Sequence, residues 1–239
     1  MKRSFPINPL SLLTLILGAT GLGLRFWLFS AIDDRGLFPH WHIAQILLYV
    51  LPLLALVLIF LSTMSMEKEK CTLRVKSGNT RKVGAVAGAL GLGISSVLGL
   101  LDQPAGLSLA VCALGVIAAV FLMILGFRPN GRLRFPVLCG LTVYFMLFAV
   151  SKAQYWGTLP QLQHFLFPLL ALVFLVLTGY CRCELSVRAA VCRRFVFFNQ
   201  GALFFCCLSL NTENWPFYLG AVCWLACDFS SVQLTKKEA

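Results

Sequence analysis

The sequence is short of charge, and of negative charge most of all. Only 12% of its 239 residues are charged, with 9 Asp and Glu against 20 Lys and Arg. Soluble domains carry about 25% charged residues, so this chain has too few to keep a globular surface hydrated. Because 59% of the residues are hydrophobic, the composition argues against a soluble enzyme, a disordered chain and a secreted disulfide scaffold. It predicts a polytopic membrane protein.

The sequence also lacks the short motifs of common catalytic sites. It contains no P-loop, no H-E-x-x-H and no G-x-S-x-G. No apolar run holds a pair of carboxylates of the kind used by proton-driven pumps, or a pair of histidines that could ligate haem. We therefore expect no catalytic residues, no cofactor and no metal, although the sequence leaves an enzymatic activity open.

Eight apolar runs are long enough to cross the bilayer, which takes about 20 residues. A span must be helical, since the hydrocarbon offers its backbone no hydrogen-bonding partner. The predicted fold class is therefore all-α, a polytopic transmembrane helical bundle of about eight spans. The predicted spans are 10–31, 43–64, 83–101, 106–127, 135–152, 160–180, 192–210 and 215–233.

The basic residues indicate an orientation and no nucleic-acid partner. With eight spans and a cytosolic N-terminus, all but three of the 20 Lys and Arg fall on the cytosolic side; the exceptions are Arg25, Arg35 and Lys152. Cytosolic loops of membrane proteins carry such an excess. We therefore predict a protein of the cytoplasmic (plasma) membrane with both termini in the cytosol, and we treat the first run as a retained span, too long for a signal peptide.

Ten cysteines are expected to be free thiols. Cys181 and Cys183 form a C-x-C motif in a connection assigned to the reducing cytosol, and most others lie inside apolar runs, where Cys acts as a small hydrophobe. The longest cytosolic connection, 65–82, alternates apolar and basic residues over 72–76. It forms either a plain solvated loop or a small hairpin on the anionic inner leaflet.

An internal duplication is predicted from repeated segments. PLLALV at 52–57 recurs unchanged at 168–173, and FWLF at 26–29 resembles FMLF at 145–148. Further matches stay in order, which predicts a first repeat at 1–130 and a second at 131–239. Because each unit has four spans, the repeats are parallel and meet at a seam that suits a cavity.

Small residues predict close packing of two spans within the chain, with a dimer interface as the alternative. Small residues lie four positions apart in the third span, at Gly84/Gly88, Ala87/Gly91 and Gly91/Ser95, and in the first span at Ala19/Gly23.

Polar residues gather in the outer connection between the first two spans. Asp33, Asp34, Arg35, His40 and His42 lie there, and the remaining histidine, His164, lies at the outer end of the second half's matching span, 160–180. An outer cap of ion pairs and interfacial aromatics explains them. A ligand-binding vestibule and a His/Asp metal site are the alternatives.

Four of the polar residues inside predicted spans are candidates for pairing or ligand binding. Arg25 either snorkels outward and pairs with aspartate, or faces the interior to hold an anionic group. Asn199 and Gln200 either bond a neighbouring helix or line a pathway. Asp228 is expected to pair with Arg193 or Arg194.

Three functions are compatible with these patterns. The first is a small-solute permease or membrane-embedded substrate-binding subunit with its site between the two halves. The second is a non-catalytic scaffold or sensor that contacts a membrane or cytosolic protein through its basic face at 65–82. The third, an intramembrane enzyme using the outer His/Asp group or Cys181 and Cys183, has least support. The predicted ligand-binding residues are Arg25, Asp33, Asp34, Arg35, His40, His42, His164, Asn199 and Gln200.

Overall fold

Eight helices account for most of the residues that a computed structural model of the chain describes. The described residues are 7–31, 42–64, 70–75, 78–102, 106–128, 133–156, 165–187 and 190–236. The helices are α1 (Ile7–Ser30), α2 (Ile43–Met64), α3 (Asn79–Leu101), α4 (Leu107–Phe127), α5 (Arg134–Trp156), α6 (Leu166–Val187), α7 (Cys192–Leu208) and α8 (Trp215–Ser231). Each overlaps one predicted span.

Helices α1 to α6 are long and apolar enough to cross a membrane, so the chain is a helical membrane protein. Helices α7 and α8 have 17 residues each, at the lower limit of about 17 for a crossing. Eight crossings therefore stay a prediction.

Helix α7 lies at the centre of the bundle, in contact with α1, α2, α6 and α8. All of its residues from Asn199 onward are buried. A helix that is screened from lipid on all sides need not match the hydrocarbon thickness, which explains how the short α7 is accommodated.

Helices α3 and α8 pack closely because glycines remove side chains from their contact. A Cβ at Gly91 would lie 2.7 Å from Cα of Gly220, and one at Gly88 would lie 2.9 Å from Cβ of Trp224. The prediction of an intramolecular glycine contact is confirmed for α3. It is wrong for α1, where Ala19 and Gly23 are exposed.

A different stripe of α1 faces the bundle. Thr14, Gly18, Gly21, Arg25 and Leu28 are buried at spacings of three and four residues, which place them on one face of a helix. Gly18 lies against Cys207 and Gly21 against Leu208. These glycines bring α1 close to the C-terminal end of α7.

Three strands form a small antiparallel sheet: β1 (Lys70–Val75), β2 (Ala190–Val191) and β3 (Val232–Lys236), in the order β2-β1-β3. Cys71 pairs with Lys236 and Val75 with Val232. The expectation of a solvated loop or a local hairpin at 65–82 is wrong for β1, whose partners come from distant connections. The all-α prediction therefore needs this sheet added to it.

The sheet places the end of α2, the start of α7 and the end of α8 at one end of the bundle, which we call the sheet end. The sequence assigned the same three connections to one side. The backbone N–H and C=O groups of a strand pair only with a strand at hydrogen-bonding distance. The sheet therefore holds these connections next to one another.

Helix α6 ends later than the sequence predicted. The apolar run stops at 180, but α6 continues through Arg182 and Glu184 to Val187. The charge of Arg182 does not end the helix because it finds partners inside the bundle, as described below.

The duplication stays a prediction, because some packing features agree with a repeat and one contact does not. Helix pairs α1–α2 and α5–α6 are equivalent and both pack, as are α3–α4 and α7–α8, and β1 and β2 occupy equivalent connections. The extensive α3–α8 contact has no comparable α4–α7 counterpart among the described residues.

Candidate functional site

Most of the predicted outer site lies outside the described residues: Asp33, Asp34, Arg35, His40 and His164. His42 is described and directly precedes α2, where its Nδ1 accepts a hydrogen bond from the Ala44 N–H at 3.3 Å. The His42 ring also meets the Trp27 ring edge-on, with centroids 5.5 Å apart. His42 thus caps α2 and links α2 to α1.

Arg25 faces the interior. It is 3% exposed, and its Nη1 donates to the carbonyl of Leu208 at 2.8 Å. Leu208 is the last residue of α7, and a cation at a helix C-terminus is stabilised by the carbonyls that end there. The expectation that Arg25 snorkels outward is wrong, because Gly18 and Gly21 bring α1 close enough for it to reach α7.

Asn199 and Gln200 point to different neighbours. Gln200 Nε2 donates to Ser11 Oγ on α1 at 3.1 Å, whereas Asn199 Oδ1 accepts from Arg182 Nη2 on α6 at 2.9 Å. Asn199 and Leu208 are nine positions apart on α7, about 14 Å along the axis. The structure therefore does not bring Arg25 and Asn199 into one site.

Asn199 instead belongs to a buried group of charges that we call the charged cluster, formed by Arg81, Arg182, Asn199 and Asp228. Asp228 Oδ1 lies 3.0 Å from Arg81 Nε, and Asp228 Oδ2 lies 2.9 Å from Arg182 Nη1. Helices α3, α6, α7 and α8 each contribute one member. None of the four residues is more than 6% exposed.

The expected pairing of Asp228 with Arg193 or Arg194 is replaced by these two ion pairs. Arg81 shares a face of α3 with Gly84 and Gly88, and Asp228 shares a face of α8 with Gly220 and Trp224. The close α3–α8 contact through these glycines therefore carries Arg81 onto Asp228. Arg193 lies elsewhere, with its Nη1 3.7 Å from Met64 Sδ.

Aromatic rings enclose the Arg182 guanidinium. It lies 4.5 Å from the ring centroid of Trp224 and 5.5 Å from that of Phe195. Such contacts stabilise a desolvated cation by about 2 kcal/mol or more.

Several hydrogen-bonding groups of the cluster remain unpaired. Arg81 Nη1, Arg182 Nε and Asn199 Nδ2 are buried and have no protein partner within the described part of the chain. All three are donors. The Asn199 assignment follows from Arg182, because a guanidinium can only donate and so must face the amide oxygen. An unsatisfied buried donor costs about 1–3 kcal/mol, so three in one place require an explanation.

A further arginine lies within electrostatic reach of the cluster. Arg134, the first residue of α5, interacts with Arg81, Arg182 and Asp228. Around Arg134, two positive charges thus stand against one negative charge. Within the cluster itself, Arg81, Arg182 and Asp228 carry one net positive charge.

Two thiols also lie side by side at the α5–α6 contact. Cys139 Sγ and Cys183 Sγ are 3.7 Å apart, and Thr142 Oγ1 lies 3.8 Å from Cys183 Sγ. Both cysteines are free. Cys181, the other half of the C-x-C motif, is buried.

Sequence reasoning missed the cluster because hydropathy alone assigns both of its arginines, Arg81 and Arg182, to connections between spans. A signal was present for Arg81, which continues the glycine stripe of α3 at helical spacing. No comparable signal marks Arg182.

No protein-family model, no curated protein and no solved structure matches this chain.

Proposed function

We propose that this membrane protein is a small-solute permease, or the membrane-embedded binding subunit of a transport system, with its site between residues 1–130 and 131–239. The observation that supports this is the buried Arg81–Asp228 ion pair, which joins the two segments. Charges inside a membrane protein are costly and commonly hold a ligand or line its pathway. The charged cluster is therefore the core of the proposed site.

The proposal also includes an approach to the same seam from the outer side of the membrane, and Arg25 supports it. Arg25 lies toward the end of α1 that leads into the 33–42 connection. In this proposal Asp33, Asp34, Arg35, His40, His42 and His164 line an outer vestibule. Asn199 and Gln200 lie deeper, on α7.

The sheet end faces the cytosol in this proposal, and the membrane is the cytoplasmic one. The basic residues support this orientation, because all but three of the 20 Lys and Arg fall on that side of the predicted spans. The charged cluster then lies near the cytosolic end, since Arg81 is in the first turn of α3, which follows β1.

Osmotic swelling of proteoliposomes tests the permease across several classes of solute. Purified protein is reconstituted, and light scattering follows swelling in glycerol, glucose, glycine and salts of small organic acids. We expect at least one solute class to enter faster than into empty liposomes. Arg182→Met should abolish the excess flux, whereas Val97→Ala, on the exposed face of α3, should preserve it.

A binding subunit would show no flux alone but would be stabilised by its solute, so thermal unfolding in detergent is measured with the same solutes. Folding of each variant is checked by size-exclusion chromatography and circular dichroism. If no solute changes either swelling or the unfolding temperature of the wild-type protein, the proposed function is wrong.

The scaffold alternative has less structural support. Strand β1 lies in the centre of the sheet, between β2 and β3. Its pairing with two other segments of the chain uses backbone groups that a partner strand would otherwise bind. Segment 65–82 is thus partly engaged within the protein itself.

A further inference from the structure

The unpaired groups of the charged cluster define the chemistry that the site would accept. Arg81 Nη1, Arg182 Nε and Asn199 Nδ2 each have an N–H with no protein acceptor among the described residues. Arg182 and Asn199 are 4% and 0% exposed. A ligand that satisfies them must supply several acceptors and need supply no donor.

The surplus of positive charge points the same way. Asp228 is shared between Arg81 and Arg182, so the three groups together carry one net positive charge. Arg134, which has interactions of its own, also lies within electrostatic reach of the cluster. Burial of uncompensated charge is expensive, and an anion would offset that cost.

Backbone geometry adds to the attraction for negative charge. Arg81 lies in the first turn of α3, which begins at Asn79. The N-terminus of a helix carries partial positive charge from its unpaired N–H groups. Both the side chains and the start of α3 therefore favour an anion at this end of the bundle.

From these observations we infer that the charged cluster binds an oxyanion, namely a carboxylate, phosphate or sulfate group. An oxyanion offers several acceptor oxygens, so one anion can accept a charge-assisted hydrogen bond from each guanidinium and a further hydrogen bond from the Asn199 amide. Arg81, Arg182 and Asn199 are the residues that contact it, and Asp228 holds the two arginines in position. The inference rests on the proposed function, because it assigns a substrate class to the same site.

The oxyanion can come from two sources, a free solute or the headgroup of an anionic phospholipid, and the test separates them. Thermal unfolding of the detergent-solubilised protein is measured with sodium phosphate, sulfate or acetate against sodium chloride at equal ionic strength. A free-solute site predicts a rise in the unfolding temperature that saturates with one of the three anions. The chloride control should show no such rise.

A lipid-headgroup site predicts a different result. The protein is transferred to nanodiscs of phosphatidylcholine alone or with about one fifth phosphatidylglycerol. Phosphatidylglycerol should raise the unfolding temperature, and native mass spectrometry should show it bound. Free phosphate should then act only after the lipid has been removed.

Arg81→Gln is the variant that tests the assignment, since it removes a charge and keeps hydrogen-bonding capacity. We expect the apparent Kd of the effective anion to rise at least tenfold. The matched control is Arg128→Gln, because Arg128 is an exposed arginine after α4. It should bind the anion like the wild-type protein.

Asn199→Asp provides a second variant in case Arg81→Gln does not fold. It places a carboxylate within the cluster, so it should remove the response to added anions without loss of basal stability.

The inference is overturned if wild-type protein responds to neither anions nor phosphatidylglycerol, or if Arg81→Gln and Asn199→Asp respond as strongly as wild type. Faster swelling in a neutral solute without any anion response would overturn this inference alone. Binding of phosphatidylglycerol, with no solute changing either the swelling rate or the unfolding temperature, would overturn the proposed function alone.

Discussion

Asp228 and Arg182 form an ion pair in the interior of the bundle, with Oδ2 and Nη1 2.9 Å apart. The same carboxylate also binds Arg81 on α3. One acidic residue therefore offsets two buried arginines that come from different helices. Because the pairing is unequal, the loss of the carboxylate and the loss of one arginine should lower the stability of the protein by different amounts.

Asp228→Asn should destabilise the protein strongly, because it leaves Arg81 and Arg182 buried beside each other without a counter-charge. Breaking a buried pair in this way costs about 3–5 kcal/mol. Arg81→Met should cost less, since Arg182 and Asp228 then remain as a neutral pair. The measurement is denaturant or thermal unfolding in detergent micelles.

Ser230→Ala is the control for the Asp228 variant, because Ser230 is exposed two residues further along α8. It should unfold as the wild-type protein does. If Asp228→Asn is no less stable than Arg81→Met, the two arginines are not held by this carboxylate as the structure places them.

The glycine contact between α3 and α8 leads to a second prediction. Gly91→Ala should destabilise the bundle by about 1–3 kcal/mol, because the new Cβ would meet the backbone of Gly220. Backbone atoms cannot move aside as a side chain can. Unfolding in micelles again provides the measurement.

Gly93→Ala is the matched control, since a Cβ at Gly93 would meet no atom within 4 Å. Alanine favours a helix over glycine by about 0.8–1.0 kcal/mol, so this variant should be equally stable or more stable. A loss of stability at Gly93 and none at Gly91 would mean that α3 packs with a different face.

Arg25 provides a third prediction, which concerns the α1–α7 contact. Arg25→Met should lower stability by about 1–3 kcal/mol, because the buried Leu208 carbonyl loses its donor. Phe26→Leu, at an exposed neighbour on α1, should change little. A more stable Arg25→Met protein would show that the desolvation of the guanidinium outweighs its hydrogen bond.

Helix positions could be predicted from this sequence because hydropathy and length alone determine which segments suit a bilayer. The contacts inside the bundle could not, since they depend on which helix faces which. Asp228 illustrates this: depth alone made Arg193 and Arg194 reasonable partners, whereas the glycine faces of α3 and α8 select Arg81. The end of α6 was missed because Arg182 resembles a helix boundary until its partners are known.

The sheet could not be predicted for a similar reason. Its strands are short, and Cys71 pairs with Lys236 across most of the chain. Local alternation suggested a hairpin within one connection, because sequence reasoning compares neighbouring residues first. Four residues of the predicted site are described, namely Arg25, His42, Asn199 and Gln200. The role of the other outer residues in a binding site stays a prediction.

A disulfide across β1 and β3 tests the sheet and, with it, the parity of the crossings. Lys236→Cys places a thiol opposite the native Cys71, and mild oxidation should link the two residues in one molecule. Peptide mapping by mass spectrometry detects the link, which Cys71→Ser must abolish. Thr235→Cys is the register control, because neighbouring strand residues point to opposite faces, so it should link far less.

The link also bears on topology. Cys71 follows α2 and Lys236 follows α8, so they meet only if the six helices from α3 to α8 return the chain to its starting side. An odd number of crossings between them would separate the two residues by the thickness of the bilayer. A link between Cys71 and Lys236→Cys in native membranes would therefore support an even number of crossings between them. Failure to link, with Thr235→Cys equally unreactive, would contradict the sheet and remove this support for the even number.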